Sequence, residues 1–189
     1  DYSDKSANVG GGWNKVYNSE KSTVVGGNNN HVCNSDRSGV ISGRNNCICD
    51  YSDYSSIMGG RGNEICNDSC LSAIIGGCDN TIDCISCQSA IIGGYCNQII
   101  NDNEGSVILG GYCSHICCSS DYSSIIGGSY NNITNTSRYS SIIGGCCNCV
   151  CNSQCSVIIG GHNLTLGTQS NTVLVPNLKI NKMLLKYFY

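Results

Sequence analysis

The sequence predicts an all-β fold, a parallel β-solenoid (β-roll) of about ten coils with 16–17 residues in each coil. Two observations predict it: the phrase Ser-x-Ile-Ile-Gly-Gly recurs at that spacing, and Ile and Val concentrate between Gly, Asn and Ser. A unit of this length is too short for a helix pair, which needs about 33 residues. It suits one coil of two or three short strands, and stacked coils then lie about 4.8 Å apart.

Four columns of residues define the unit, counted from the first residue of the Gly-Gly pair as position 0. Ser stands at position −4 and an aliphatic residue at −1 and +6 in all ten units, while Asn stands at +4 in eight, with Ser114 and Leu164 as exceptions. Position 0 falls at Gly10, Gly26, Ser42, Gly59, Gly76, Gly93, Gly110, Gly127, Gly144 and Gly160. The units end near Leu166, which predicts a solenoid domain over residues 1–166 and a capping or transition segment over residues 167–189.

The strand before Gly-Gly predicts an apolar stripe along the rod. Successive side chains of a strand point to opposite faces, so we assign position −1 and the small residue at −3 to the coil interior. Position −2 then faces outward, although it is aliphatic in nine of the ten units. These residues are Val24, Val40, Ile57, Ile74, Ile91, Ile108, Ile125, Ile142 and Ile158.

Such a stripe needs a cover, because monomers rarely expose apolar patches beyond a few hundred Å². Copies of the same rod around a common axis are the simplest cover, so we predict that position −2 forms an interchain contact. The alternative is a wider coil in which both aliphatic residues lie inside and the strand is locally bulged.

The Asn and Ser columns have a structural interpretation. An Asn that repeats at one position can stack its amides into a hydrogen-bonded ladder or cap a turn through its own backbone. The Ser at −4 is interpreted as a turn former whose hydroxyl bonds nearby backbone. We therefore assign neither column to a ligand.

The cysteines predict a disulfide framework, because neighbours in a column have Cα atoms about 4.8 Å apart, within the range that a disulfide tolerates. The chain has 17 cysteines, an odd number, so at least one is unpaired or paired outside this segment. The columns that repeat a cysteine in neighbouring coils are Cys70 with Cys87, Cys96 with Cys113, and Cys33 with Cys49 and Cys66. The first two pairs are the strongest candidates.

No motif organises the Ser, His and acidic residues into a catalytic site. His31 and His115 share position +5 with other polar residues, which is typical of a solvated face, and His162 has no partner that the sequence identifies. The cysteine run over residues 146–155 lacks the two spaced pairs of a zinc site. We predict no enzymatic activity, no cofactor and no metal site.

Charge and hydropathy exclude two further classes of partner. The net charge of −3 argues against a dedicated nucleic-acid binder. No apolar run approaches the 18 residues that a membrane-spanning helix needs, so we expect no membrane insertion in this segment.

The strand before Gly-Gly resembles two groups of fibrous proteins. Ser106-Val107-Ile108-Leu109-Gly110 and Ser156-Val157-Ile158-Ile159-Gly160 match the Ser-x-Ala-Ile-Gly outline of trimeric autotransporter adhesin heads, which are left-handed parallel β-rolls assembled as trimers. The chain is more similar to the Ile-Ile-Gly-Gly repeat proteins of bacteriophage tail fibres and giant-virus virions, whose repeats lead into a segment like residues 171–178. The second Gly, the Asn column and the longer period depart from the adhesin pattern.

The resemblance implies a left-handed coil, a parallel homotrimer and a structural role. That role is a fibre or spike shaft on a virion or tail, outside the cell, that supports host attachment. The implied partners are further copies of the chain and a host surface receptor or glycan. Two alternatives stay open: the head of a cell-surface adhesin, and an ice-binding solenoid. The absence of a Thr column counts against the ice-binding solenoid.

Overall fold

Residues 5–176 are described by a computed structural model, and they form the parallel β-solenoid of about ten turns that the repeat predicts. The strands are β1 Ala7–Val9, β2 Lys15–Tyr17, β3 Thr23–Val25, β4 His31–Cys33, β5 Gly39–Ile41, β6 Cys47–Ile48, β7 Ser56–Met58, β8 Glu64–Ile65, β9 Ala73–Ile75, β10 Thr81–Asp83, β11 Ala90–Ile92, β12 Gln98–Ile100, β13 Val107–Leu109, β14 His115–Cys117, β15 Ser124–Ile126, β16 Asn132–Thr134, β17 Ser141–Ile143, β18 Cys149–Cys151, β19 Val157–Ile159, β20 Thr165–Gly167 and β21 Val173–Leu174. This part of the chain contains no helix, and hence none long and apolar enough to cross a membrane.

Two parallel sheets run along the rod. The odd-numbered strands, at positions −3 to −1, form an 11-stranded first sheet, and the even-numbered strands, around positions +5 to +7, form a 10-stranded second sheet. Equivalent residues of neighbouring coils pair in register, as Ile91 does with Ile108. A further column of single-residue parallel bridges lies at position +2, for example between Tyr95 and Tyr112. Every column of the sequence repeat is therefore also a column in space.

The two glycines of each pair meet different requirements. At Gly127, which has a φ of 65°, a Cβ would meet no atom within 4 Å, and Ser42 adopts a φ of 60° at the equivalent position. At Gly128, a Cβ would overlap the carbonyl oxygen of Gly145 in the next coil and lie 2.5 Å from Asn131 Nδ2. The second glycine is thus required by close backbone approach, whereas the first is favoured only by its conformation.

The aliphatic core lies between the sheets and consists of positions −2 and +6. The prediction that position −2 forms an outward, interchain stripe is therefore wrong. None of its nine aliphatic side chains has any exposed surface: Val24, Val40, Ile57, Ile74, Ile91, Ile108, Ile125, Ile142 and Ile158. Positions −2 and −1 are both aliphatic, and a shift of the strand by one residue exchanges its inner and outer faces. The alternation of side chains is therefore compatible with either position facing the core.

Polar side chains share this interior, and the Asn column forms a ladder, although its side chains bond mainly to the backbone of neighbouring coils rather than stacking amide on amide as predicted. The Oδ1 atom of Asn80 accepts a hydrogen bond from the backbone N–H of Asn97 at 3.0 Å. Asn97 Nδ2 in turn donates to the carbonyl oxygen of Gly111 in the next coil at 3.2 Å. Ser114 continues the ladder with its hydroxyl, which accepts from the N–H of Asn131 at 3.3 Å. Each buried amide therefore ties two coils together.

Serines form two more ladders, only one of which was predicted from the sequence. In the predicted column at −4, the N–H of Ser89 donates to Ser72 Oγ at 3.2 Å, and Ser72 Oγ donates to the carbonyl oxygen of Ser86 at 3.1 Å. The second buried column lies at +9 in coils of 16 residues and at +10 in coils of 17. It therefore has no constant position when residues are numbered from the Gly-Gly pair. It consists of Ser19, Ser35, Ser52, Ser69, Ser86, Asn103, Ser120, Ser137 and Ser153. Within residues 5–176, Asn132 Oδ1 is the one buried side-chain polar atom without a hydrogen-bond partner.

The solenoid continues beyond Leu166 into the segment predicted as a cap. Val173 and Leu174 of β21 pair in register with Val157 and Ile158 of β19. Leu174 packs against the end of the aliphatic core. The lysines and apolar residues after position 176, on which the capping prediction also depends, lie outside the described residues, as do residues 1–4.

Candidate functional site: the outer face of the first sheet

The outward side of the first sheet carries an aliphatic residue at position −1 in every coil. Each of these residues is between 39% and 55% exposed, so the column is an uncovered apolar line along the rod. We call it the outer stripe: Val9, Val25, Ile41, Met58, Ile75, Ile92, Leu109, Ile126, Ile143 and Ile159. It lies one residue away from the stripe that the sequence predicted, and it is the surface to which the argument about a cover applies.

The two sheets present different chemistry to the outside. Neither outward position of the first sheet, −3 or −1, holds a charged residue in any of the ten coils. Position −3 holds only Ala, Gly, Ser, Thr or Val, so the outer stripe stands beside small side chains. The outward positions of the second sheet instead include Lys15, His31, Glu64 and Asp83. Only the first sheet therefore has the composition of a surface that other protein covers.

Exposed tyrosines form short ranks across neighbouring coils. The rings of Tyr95 and Tyr112 are stacked with centroids 5.3 Å apart, and those of Tyr122 and Tyr139 with centroids 5.4 Å apart. These ranks offer apolar ring faces, each with a polar hydroxyl at its edge. These ranks were not predicted from the sequence, although each pair shares a column of the repeat.

The cysteines of the two strongest predicted disulfides lie next to one another in neighbouring coils. The backbone N–H of Cys70 donates to Cys87 Sγ at 3.2 Å. Burial raises the pKa of Cys96, and its hydrogen bond with the Cys113 thiol raises that pKa further. All 17 cysteines are free thiols in this structure, so the pairing stays a prediction.

The third cysteine column belongs to a larger cluster. Cys33, Cys49 and Cys66 are buried, and Cys47 packs against them. Hydrogen bonding between Cys47 and Cys49 lowers the pKa of Cys49 and raises the pKa of Cys47. The Cys66 thiol donates to Asp83 Oδ1 at 3.2 Å. Glu64 is exposed, but its carboxylate lies beside the cluster, and desolvation there raises its pKa. Sequence reasoning missed Cys47 and Glu64, although the repeat places both at position +5, two residues before the cysteine column.

A second group of possible metal ligands lies nearer the C-terminal end. The sulfur atoms of Cys146 and Cys147 are 3.2 Å apart, and both lie within 4.8 Å of a ring nitrogen of His162 in the next coil. The column at +2 that Cys146 and His162 share supplies the partner that the sequence did not identify for this histidine. Neither His31 nor His115 belongs to such a group within residues 5–176.

The comparisons with known proteins do not assign the chain to a family. No protein-family model matches the sequence, and no curated protein is significantly similar to it. Its function is therefore inferred from the outer stripe, the exposed columns and the thiol cluster themselves.

Proposed function

We propose that this chain is the shaft segment of a parallel homotrimeric fibre or spike, exposed on a virion or tail, that supports attachment to a host. The observation that carries the proposal is the outer stripe, a straight uncharged apolar line from Val9 to Ile159. The role is mechanical, since the rod holds a receptor-binding region away from the particle. Ladder hydrogen bonds in every coil make it resistant to local unfolding.

Covering the outer stripe contributes favourable free energy to assembly. Full burial of one aliphatic side chain stabilises by roughly 1.5–3 kcal/mol. A stripe residue such as Ile126 is 41% exposed, so covering it contributes about 0.6–1.2 kcal/mol. Ten such residues contribute about 6–12 kcal/mol per chain before the entropic cost of association is subtracted.

Further copies of the same rod fit the stripe better than an unrelated partner does. The stripe residues recur at the coil spacing of about 4.8 Å, so parallel copies at equal height match aliphatic residue to aliphatic residue along the whole length. Closed rotational symmetry lets every copy turn its stripe toward one axis, which leaves no stripe exposed. Three copies rather than two follow from the resemblance to trimeric β-roll heads and Ile-Ile-Gly-Gly fibre proteins.

A receptor or glycan would then contact surfaces that stay outside the trimer. The tyrosine ranks of Tyr95 with Tyr112 and of Tyr122 with Tyr139 are the candidates, because their exposed rings lie at turns and bridges away from the outer stripe. Replacing both members of one rank with Ser should weaken attachment to host cells without changing the mass of the assembly.

Sedimentation equilibrium of the native chain tests the assembly. We expect a species of three times the chain mass of 20.0 kDa. Ile92→Glu places a charge in the outer stripe and should give monomers, whereas Gln98→Glu adds the same charge to the second sheet of the same coil and should leave the trimer intact. A monomeric unaltered chain, or equal dissociation of both variants, would contradict the proposal. An antibody against the chain should also label the surface of intact particles.

A further inference from the structure

The register of the second sheet brings three cysteines of two adjacent coils together. Val32 pairs with Ile48, so Cys33 and Cys49, which follow them, lie side by side. Cys47 lies two residues before Cys49, and its side chain therefore points to the same side of the strand. The sulfur atoms of Cys33, Cys47 and Cys49 all lie within 4.8 Å of one another, and we call these residues the thiol triad.

Cys66 does not belong to the thiol triad. It lies one coil beyond Cys49 and two coils beyond Cys33, which is about 9.6 Å along the rod. Its thiol donates to Asp83 Oδ1 at 3.2 Å, and its sulfur is grouped instead with those of Cys49 and the carboxylate of Glu64. Within residues 5–176, no further Cys, His, Asp or Glu side chain lies within 4.8 Å of all three sulfurs of the triad. The triad therefore offers a metal ion three sulfur ligands and no fourth of these types.

Three sulfur ligands favour copper(I) over zinc. A structural zinc ion takes four ligands in a tetrahedron, so the thiol triad would leave one of its positions unfilled. Copper(I) is a soft ion that thiolates select, and three of them in one plane satisfy it. At a metal–sulfur distance of about 2.3 Å, a planar set of three sulfurs is about 4.0 Å apart. No pair of the triad thus needs to close by more than about 0.8 Å.

Burial of the thiol triad suits a soft ion that must be kept from water. Cys33 and Cys49 are only 8% and 9% exposed. Cys47 is partly exposed, which gives the ion an entry path from solvent. The surrounding shell then limits further access of solvent to the bound ion.

We propose that Cys33, Cys47 and Cys49 bind one copper(I) ion in a trigonal site that joins two adjacent coils. Binding forms three Cu–S bonds, breaks three S–H bonds and releases three protons to solvent, while the oxidation state of copper does not change. A disulfide between Cys33 and Cys49, which their column predicts, would use two of the same sulfurs, so the two states exclude each other. The site lies within a single chain and does not depend on assembly of the rod.

Differential alkylation of the fully reduced chain tests the site. Copper(I) is supplied without oxygen from an excess of a copper(I) chelator, so that only the tightest site is filled. Reactive thiols are alkylated with iodoacetamide, copper is removed, and isotopically heavy iodoacetamide then labels the thiols that were protected. The thiol triad contains every cysteine before Arg61, so the tryptic peptides 22–37 and 45–61 report these three thiols without interference from the others.

Copper should protect all three thiols of the triad together. At a free copper(I) concentration about 100 times the Kd, about 1% of the chains are empty, so alkylation of the triad should slow about 100-fold. The exposed Cys155 should be alkylated equally fast with and without copper. X-ray absorption of the chain with one bound copper should show three sulfur neighbours. Alkylation of the triad that copper leaves unchanged, or a copper ion with a nitrogen or oxygen neighbour, would overturn the proposal.

Two matched variants separate the thiol triad from the neighbouring group. Cys33→Ser and Cys66→Ser each remove a buried thiol from the same column. Cys33→Ser should abolish the protection of Cys47 and Cys49 by copper, whereas Cys66→Ser should leave it unchanged. The reverse result would place the ion between Cys49, Glu64 and the coil that follows, and would refute the assignment. Protection is also measured on the unaltered chain, so the test stands even where a variant fails to fold.

Discussion

Two adjacent isoleucines, Ile125 and Ile126, distinguish the inside of this rod from its outside. Ile125 is fully buried between the two sheets, whereas Ile126 is 41% exposed in the outer stripe. Ile125→Ala leaves a cavity in a packed interior and should lower the free energy of unfolding by about 2–5 kcal/mol. This loss belongs to the single chain and does not depend on assembly.

Ile126→Ala should act mainly on the association of chains. The exposed part of Ile126 is worth about 0.6–1.2 kcal/mol when a partner covers it. Because the residue occurs once in each of three chains, the trimer loses about 1.8–3.6 kcal/mol. The association constant of the trimer should therefore fall roughly 20- to 400-fold.

The two effects are measured separately. Urea unfolding at a chain concentration too low for assembly reports the stability of the single chain, and sedimentation equilibrium reports the association constant. If Ile125→Ala left single-chain unfolding unchanged, position −2 would not be the core. If Ile126→Ala left the association constant unchanged, the outer stripe would not be the interface.

Four further outcomes follow from the same geometry. Gly128→Ala should lower the midpoint of urea unfolding strongly, because its Cβ would overlap the next coil. Gly127→Ala should lower the free energy of unfolding by only roughly 1–2 kcal/mol, the cost of a left-handed backbone for alanine, and equal midpoints for the two variants would contradict this. Asn80→Ala removes the acceptor of a buried N–H and should cost about 1–3 kcal/mol in the same assay, and Asn80→Ser should cost less because serine continues this ladder elsewhere in the chain. Burial lowers the pKa of His115 from 6.5, so the unfolded chain binds more protons and stability should fall as the pH drops through and below about 6.5. His115→Gln should reduce that slope, with the remainder due to His31, whose pKa burial also lowers, and an NMR titration of His115 with a pKa at or above 6.5 would refute this. The two strongest predicted disulfide pairs should resist alkylation until the protein is reduced, and a mass spectrum with every thiol alkylated before reduction would count against them.

Much of the fold can be predicted from the repeat because each column has one dominant local requirement. The Gly-Gly pair marks a bend that needs positive φ, the Asn column marks a ladder, and short aliphatic groups mark the strands. The second serine column was not predicted because the coils differ in length between position +6 and this serine, so its position relative to the Gly-Gly pair is not constant. The thiol cluster was only partly predictable, since the column of Cys33, Cys49 and Cys66 follows from the period and places Cys47 on the same side as Cys49, but the distances between the sulfur atoms depend on side-chain positions that the period does not specify.

The amino-acid sequence by itself determined the coil length, the parallel stacking and the residues that recur at each level of the rod. Only the tertiary structure decided which of two adjacent aliphatic columns is the core. The space between the sheets holds two aliphatic side chains per coil, one at −2 and one at +6, together with the hydrogen-bonded Asn and Ser columns. Ser at −4 and the aliphatic residue at −2 lie on the same side of the strand, so burial of the serine ladder places −2 inside and leaves −1 facing solvent.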